Sequence, residues 1–249
     1  MAAHGPSEGG TDDTYIVIPT YNERENIVPL IEEIVRLYGV AGPRIVVVDD
    51  NSPDGTAAAV VETGARFPNV HAIVRSGTRG YGHACADGMA YAIDRGAAFV
   101  ITMDADFSHA PESLGPMLEA AREADLVIGS RYTARHGSDV QNWPLSRQWL
   151  SRLANRYVNW LTPAGVHDAT SGFRCWRADV LRRVLSRRES HAAGYAFLPE
   201  TLYRAGLEGA RITEVGSVYR GRAKGESKMS LAIVIESLWI PLRLRFSRL

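Results

Sequence analysis

Five short runs of Val and Ile, separated by segments of helical period, limit this chain to a narrow set of folds. They are "TYIVIPT", "PRIVVVDD", "HAIVR", "AFVITMDAD" and "ADLVIGS", and several break off abruptly in polar or turn residues. Between them, apolar residues recur at helical spacing from Asn26 to Tyr38, and further helices are expected at about 57–67, about 83–95 and from Pro111 to Ala124. Pro29 fits the first of these only if that helix begins near Asn26, which leaves the proline in its first turn. Strands apolar on both faces and separated by helices imply an α/β fold with a mainly parallel, doubly wound sheet. A chain of 249 residues with 45% hydrophobic content can bury the core that such a sheet requires.

After Arg131 the composition shifts. "NWPLSRQWLSRLANRYVNWL" is helical, aromatic and basic, and "DATSGFRCWRADVLRRV" follows it. "GYAFLPETLYRAGL" reads as a helix, "ARITEVGSVYR" as a strand and "GRAKGESKMS" as a basic loop. There is no internal repeat or low-complexity linker. Residues 1–13 are expected to be a disordered leader, 14–230 one domain and 231–249 a C-terminal amphipathic helix. The leader has no basic stretch followed by an apolar one, so no signal peptide is expected. The longest apolar stretch, "MSLAIVIESLWIPLRLRF", is interrupted by Glu236, Pro241 and two arginines, so no transmembrane helix is expected either.

Charge and cysteine usage narrow the function. Lys plus Arg and Asp plus Glu are 28 each, which supplies no overall basic field and argues against nucleic acid as a partner. Cys85 and Cys175 form neither a CxxC pair nor a disulfide framework, in keeping with a reducing setting and against a thiolate metal site. "RSGTRGYGHACADG" carries Gly80 and Gly82, but Cys85 stands where a dinucleotide fingerprint wants its third glycine, and the segment follows the third strand. The two glycines make either a loop over a ligand or a tight turn.

In a doubly wound sheet, ligands bind at the carboxyl ends of the strands. The polar residues at those ends are therefore candidates: Pro19 to Glu23 after the first strand, Asp49 and Asp50 after the second, Asp104 and Asp106 after the fourth, Arg131 after the fifth. Asp104 and Asp106 are one residue apart, and like charges so close need a cation between them. Hard divalent ions such as Mg²⁺ or Mn²⁺ prefer carboxylate and phosphate oxygens. The competing reading, two acids capping the next helix, is weakened because Ser108 is the better N-cap. In "VVVDDNSPDGT", an acid just beyond such a strand can accept hydrogen bonds from a ribose or a base; the alternative is that Asp54 and Gly55 are turn chemistry alone and that one of Asp49 and Asp50 simply caps backbone amides.

Taken in order, "VIPTYNERENI", "VVVDDNSPDGT", "MDADFSHAPE", "GSRY", "DATSGFRCWR", "GYAF" and "GESK" resemble the family 2, GT-A fold glycosyltransferases, in particular the dolichyl or polyprenyl phosphate mannosyltransferases. The resemblance spans about residues 14–230. It implies a Rossmann-like GT-A domain, a GDP-mannose donor, a polyprenyl monophosphate acceptor and Mg²⁺ or Mn²⁺. By position, Pro19, Tyr21 and Glu23 resemble the nucleotide-contact set, with Val48 and Asp50 beside base and ribose. Asp104, Ala105 and Asp106 match the metal and diphosphate motif, and Arg131, Arg222 and Lys228 match the phosphate-contacting cations, with Arg131 on the acceptor phosphate. Ser108 departs from the pattern where some members carry glutamine, so a third protein ligand to the metal is not implied. Related readings left open are a UDP-sugar donor, a non-catalytic binding subunit and a nucleotidyltransferase.

A lipid acceptor also gives a use to residues 143–161. Trp143, Leu145, Trp149, Leu153, Tyr157 and Trp160 recur near helical spacing, with Arg147, Arg152 and Arg156 among them. Such a helix suits either a membrane interface or ordinary packing on the sheet. The interface reading places the chain peripherally on the cytoplasmic face of a membrane, with a separate transmembrane protein as a candidate anchor. Glu200, in "GYAFLPE", is the candidate if a general base is needed, and an intrahelical salt bridge is the alternative.

Overall fold

The computed structural model describes residues 13–133, 139–140, 145–162, 164–186 and 192–219. Arg222, Lys228, Trp143, the loop "GRAKGESKMS", residues 1–12 of the leader and the C-terminal helix at 231–249 lie outside the described residues.

The strands β1 (Thr14–Thr20), β2 (Arg44–Asp49), β3 (Val70–Val74), β4 (Phe99–Thr102) and β5 (Leu126–Ser130) fall on the five apolar runs. With β7 (Arg174–Arg177) and β8 (Ile212–Gly216) they form a seven-stranded sheet in the order β3-β2-β1-β4-β7-β5-β8. All neighbours pair in parallel except β7, which runs antiparallel to both β4 and β5. The sheet is therefore mainly parallel, as expected, with one reversed strand in its interior. A second small sheet pairs β6 (Asp139–Val140) with β9 (Val218–Tyr219), so "ARITEVGSVYR" is split at Ser217 between two sheets. Ser217 N–H donates to the Ser130 carbonyl at 3.0 Å, closing the pairing of β8 with β5 where the chain turns away.

Side chains alternate across the sheet with period two and feed two cores. Tyr15, Val17, Val46 and Val48 pack on one face with α3 (Tyr81–Asp94), α6 (Ala178–Ser186) and α7 (Phe197–Leu207). Ile16, Ile18, Ile45 and Val47 pack on the other with α1 (Arg24–Tyr38) and α4 (Leu114–Ala121). The remaining helices are α2 (Thr56–Arg66) and α5 (Leu145–Leu161).

Two local expectations are corrected. Helix α1 begins at Arg24, so Pro29 sits inside the helix and not in its first turn. The earlier start is possible because the neighbouring turn satisfies the entry amides: Asn22 N–H donates to Ser52 Oγ at 2.9 Å, Glu23 N–H to Thr56 Oγ1 at 3.1 Å and Arg24 N–H to Asp54 Oδ2 at 3.1 Å. Ser108 is not a helix N-cap, because a 3-10 turn at Pro111–Ser113 intervenes before α4 and Ser108 lies buried below it.

Candidate active site

Loops at the carboxyl ends of β1, β2 and β4 meet over the sheet and enclose a cleft of about 430 Å³. Pro19, Tyr21 and Glu23 line it from the first loop, Asp50 from the second, and Asp104, Ala105 and Asp106 from the third. The adjacent acids Asp49 and Asp50 divide their tasks. Asp49 is buried and accepts from Ser52 N–H at 2.8 Å, Ser52 Oγ at 2.5 Å and Thr20 Oγ1 at 3.1 Å, so it ties β1, β2 and their turn together. Asp54 performs the turn chemistry, accepting from both Thr56 N–H and Arg24 N–H. Val48 faces the core below the cleft, fully buried in the sheet.

Asp50 faces the cleft with both oxygens engaged. Oδ1 is paired with Arg75 and Oδ2 accepts Gly80 N–H at 2.8 Å; Arg75 in turn holds Asp87 at 2.6 Å. This network fixes the loop that carries Arg79. The Arg79 guanidinium lies over the Tyr21 ring, 4.5 Å from its centroid, and donates to the Tyr21 hydroxyl at 2.7 Å. Arg79 also lines the cleft. Sequence reading does not single out Arg75 and Arg79, because "RSGTRGYGHACADG" draws attention to its glycines. Gly80 lines the cleft, and Gly82 lies in the first turn of α3 against a neighbouring segment: Gly82 N–H donates to the Ala193 carbonyl at 2.8 Å, and a Cβ at Gly82 would fall inside the Ala192 carbonyl oxygen. The 192–195 backbone can therefore form the far wall, where Tyr195 stacks on Tyr81 with centroids 4.6 Å apart.

The Asp104 to His109 loop is the most tightly specified part of the site. Phe107 adopts a left-handed conformation, φ 61°, unusual for an aromatic side chain and expected where surrounding contacts over-determine the backbone. Asp106 is buried and accepts Ser108 N–H through Oδ1 at 3.0 Å. The Asp104 side chain is about one-third exposed, at 30%, toward the cleft. His109 Nδ1 accepts the Asp104 N–H at 2.9 Å, and its ring is stacked on Phe173 with centroids 4.8 Å apart. Burial holds the imidazole below its ordinary pKa against the pull of Asp104, so it is neutral, and acceptance at Nδ1 places its proton on Nε2. His109 lies within "MDADFSHAPE", but nothing in the motif marks it as functional.

The chemistry of the donor set fits a hard divalent cation. Asp104 and Asp106 offer carboxylate oxygens to one cleft, and among the described residues no group of three or more His, Cys, Asp or Glu competes as a metal centre. Two carboxylates leave the rest of an octahedral shell to water and phosphate oxygens, as Mg²⁺ and Mn²⁺ sites commonly do.

Arg131, at the end of β5, sits apart from the cleft lining and is clamped by the turn preceding β7. Asp168 accepts from its N–H, Nε and Nη2 at 2.9, 2.7 and 2.6 Å, and Thr170 Oγ1 accepts from Nη2 at 2.7 Å. Burial disfavours both charges, yet each holds the other ionised: Asp168 lies below the usual carboxylate range and Arg131 above the usual arginine value. The Arg131 guanidinium carbon is 5.6 Å from the Tyr219 ring centroid, which lies 6.0 Å from that of His109 with the two rings nearly perpendicular, so an aromatic bridge joins the clamp to the Asp104 loop. Glu200 lies outside the cleft lining; it pairs with Arg204 at 2.6 Å and accepts Ala192 N–H at 2.7 Å, supporting the far wall.

A family model described as "Glycosyl transferase family 2" matches residues 15–185. The chain belongs to glycosyl transferase family 2. Curated relatives include the polyprenol monophosphomannose synthase of Mycolicibacterium smegmatis, 41% identical over 92% of this chain and 85% of that one. The undecaprenyl-phosphate mannosyltransferase of Micrococcus luteus is 41% identical over 89% of both chains. Among solved structures, glucosyl-3-phosphoglycerate synthase from Mycobacterium tuberculosis, in complex with Mn²⁺, UDP and phosphoglyceric acid, superposes with a TM-score of 0.69. It shares 18% identity, with 95% of this chain and 78% of that one covered, and the likeness supports the GT-A-like fold.

Proposed function

We propose that this family 2 enzyme transfers mannose from GDP-mannose to a polyprenyl monophosphate, inverting the anomeric carbon, with Mg²⁺ or Mn²⁺ held by Asp104 and Asp106. The relatives named above carry the mannosyl and polyprenyl-phosphate parts of this reading. The observation that carries the site is the convergence of Asp104 and Asp106 with Tyr21, Glu23 and Asp50 in one cleft at the carboxyl edge of the sheet.

The acceptor phosphate is anionic near neutral pH, so its oxygen attacks the anomeric carbon without a general base. The new C–O bond forms as the bond to the diphosphate breaks, and the electron pair leaves with GDP. One displacement converts an α-linked donor into a β-linked lipid phosphate mannose. A divalent ion at Asp104 and Asp106 would supply charge to the departing diphosphate. Tyr21 and Glu23 hold the nucleotide end, Arg131 receives the acceptor phosphate, and Arg222 and Lys228 complete the phosphate contacts. Glu200, engaged with Arg204 and Ala192, has no part in proton transfer in this scheme.

The acceptor is reached from a membrane surface. Among the described residues no helix is long and apolar enough to cross a membrane. Helix α5 instead exposes Trp149, Leu150, Leu153 and Trp160, each at least 60% accessible, with Arg152 and Arg156 exposed among them. Aromatic and aliphatic side chains interleaved with arginines match the headgroup boundary, where arginines meet lipid phosphates. With a nucleotide sugar as the proposed donor, this surface is assigned to the cytoplasmic face. The test is transfer of radiolabelled mannose from GDP-mannose to a polyprenyl phosphate with and without Mg²⁺ or Mn²⁺, alongside UDP-glucose. Metal-dependent mannosyl labelling of lipid is expected; labelling by glucose alone would replace the donor, and labelling by neither would refute the reading.

A further inference from the structure

Helix α5 has an inner face as well as an exposed one, and the inner face leads to Arg131. Asn155, only 3% accessible, accepts Thr170 N–H through Oδ1 at 3.0 Å and bonds the Asp168 carboxylate. One turn further on, Asn159 accepts Val166 N–H at 3.3 Å and donates to the Val166 carbonyl. The Val166–Thr170 turn is thus stitched to α5 at both ends. Its other side is fixed to the sheet, where Glu214 of β8 accepts His167 N–H and Asp168 N–H at 2.8 Å each. Two residues of this turn, Asp168 and Thr170, are those that clamp the Arg131 guanidinium. A third tie runs past Tyr132, whose ring lies 5.5 Å from the Arg131 guanidinium carbon and 5.8 Å from that of Arg152 on α5.

We propose that Asn155 is a positioning residue that ties Arg131 to α5, so that the phosphate of a prenyl lipid is received at a depth set by the helix resting on the membrane. The proposal rests on the acceptor and membrane readings above. An α-helix with its side chains is about 10 Å across, and an interfacial helix buries its apolar face about 5–10 Å into the headgroup and acyl boundary. A cation anchored to the opposite face of α5 therefore stands near the level of the lipid phosphates, within reach of a phosphate whose prenyl chain stays in the bilayer. The inner-face asparagines serve this better than apolar residues would, since their paired donor and acceptor bonds fix the turn in rotation as well as distance.

The experiment compares wild type with Asn155→Ala, and with the more peripheral Asn159→Ala should the first fold poorly, using the full chain. Four quantities are measured: KM for a long-chain polyprenyl phosphate in vesicles, KM for a short-chain water-soluble prenyl phosphate, KM for GDP-mannose, and vesicle co-sedimentation. Both acceptor KM values are expected to rise about tenfold in Asn155→Ala, with a smaller rise in Asn159→Ala, while donor KM and co-sedimentation stay within twofold of wild type. Donor and acceptor KM moving together would mark Asn155 as merely structural and overturn the proposal, as would unchanged acceptor KM. Wild-type chain that labels acceptors yet ignores vesicles would also overturn the proposal, since α5 would then set no depth. Failure of wild type to label either acceptor would refute the function itself, and the proposal with it.

Discussion

His109→Phe isolates the support that holds the paired acids in place. Phenylalanine keeps a ring of similar size for the stack on Phe173, but removes the Nδ1 acceptor that takes the Asp104 N–H at 2.9 Å. A partly buried amide left without a partner costs about 1–3 kcal/mol, and a chain of this size loses about 2–4 °C of Tm per kcal/mol. The expected loss of Tm is thus roughly 2–12 °C. The effect on metal is larger in proportion: groups that orient a metal ligand without touching the ion typically contribute about 10–100-fold in affinity. Mn²⁺ titration in the presence of GDP, followed by electron paramagnetic resonance, should show a Kd raised about tenfold or more. An asparagine in place of the histidine would carry an amide oxygen near the Nδ1 position, so His109→Asn should recover most of the affinity. Wild-type Tm and wild-type Mn²⁺ affinity in His109→Phe would refute the idea that this bond positions the acids.

Asp106→Ala should abolish metal-dependent mannosyl transfer with the circular dichroism spectrum unchanged; wild-type turnover would refute the metal assignment. Asp168→Asn should cost about 3–5 kcal/mol, because it leaves the buried Arg131 guanidinium without a counter-charge, measurable by chemical denaturation. The Asp168 pKa is depressed on folding, so its contribution is fully present above the unfolded value near 3.8 and is lost as pH falls through the lower folded value; the Asn variant should lack that acid-side loss. Trp149→Ala combined with Arg152→Ala should weaken co-sedimentation with anionic vesicles about a hundredfold, combining roughly 2 kcal/mol of lost apolar burial with about 1 kcal/mol of lost charge. Donor KM should be unaffected, and unaltered vesicle binding would favour α5 as an ordinary packed helix.

The strands of the first half are legible in the sequence because each is apolar on both faces and short, and the cleft follows from the rule for strand ends. Asp49 and Asp50 show where that legibility stops: the pattern places both at the end of β2, but only the fold reveals that Asp49 binds the turn while Asp50 faces the cleft. β7 escapes a sequence reading because "RCWR" is too short and too polar to announce a strand; Arg174 is accommodated at its buried start by the carbonyls of Ala169, Ser171 and Leu198. Burial pushes the Arg174 pKa down to about 10. Pro29 misleads for a different reason, since the bonds that start α1 early come from the turn before α2, some thirty residues away in sequence. Arg79 and His109 stand inside quoted motifs, yet their roles depend on Tyr21 and on the Asp104 amide, contacts that no spacing rule encodes.

The reversal of β7 has a consequence for how such enzymes can be remade. Arg174, the first residue of β7, pairs with Thr102, the last residue of β4. In an all-parallel sheet the segment leading into a strand lies at the edge remote from the ligand, and only segments leaving strands reach the cleft. Here the segment entering β7 arrives at the same edge as Asp104. The stretch from the end of β5 to the start of β7 thus behaves as a cassette, anchored by two neighbouring strands that lie inside the sheet, while the loops that carry Tyr21, Asp50 and Asp104 belong entirely to residues before it. Exchanging that cassette between family members, with Gly172 and Phe173 kept so that the stack on His109 survives, should alter which acceptor is served while leaving the Asp104 loop in place.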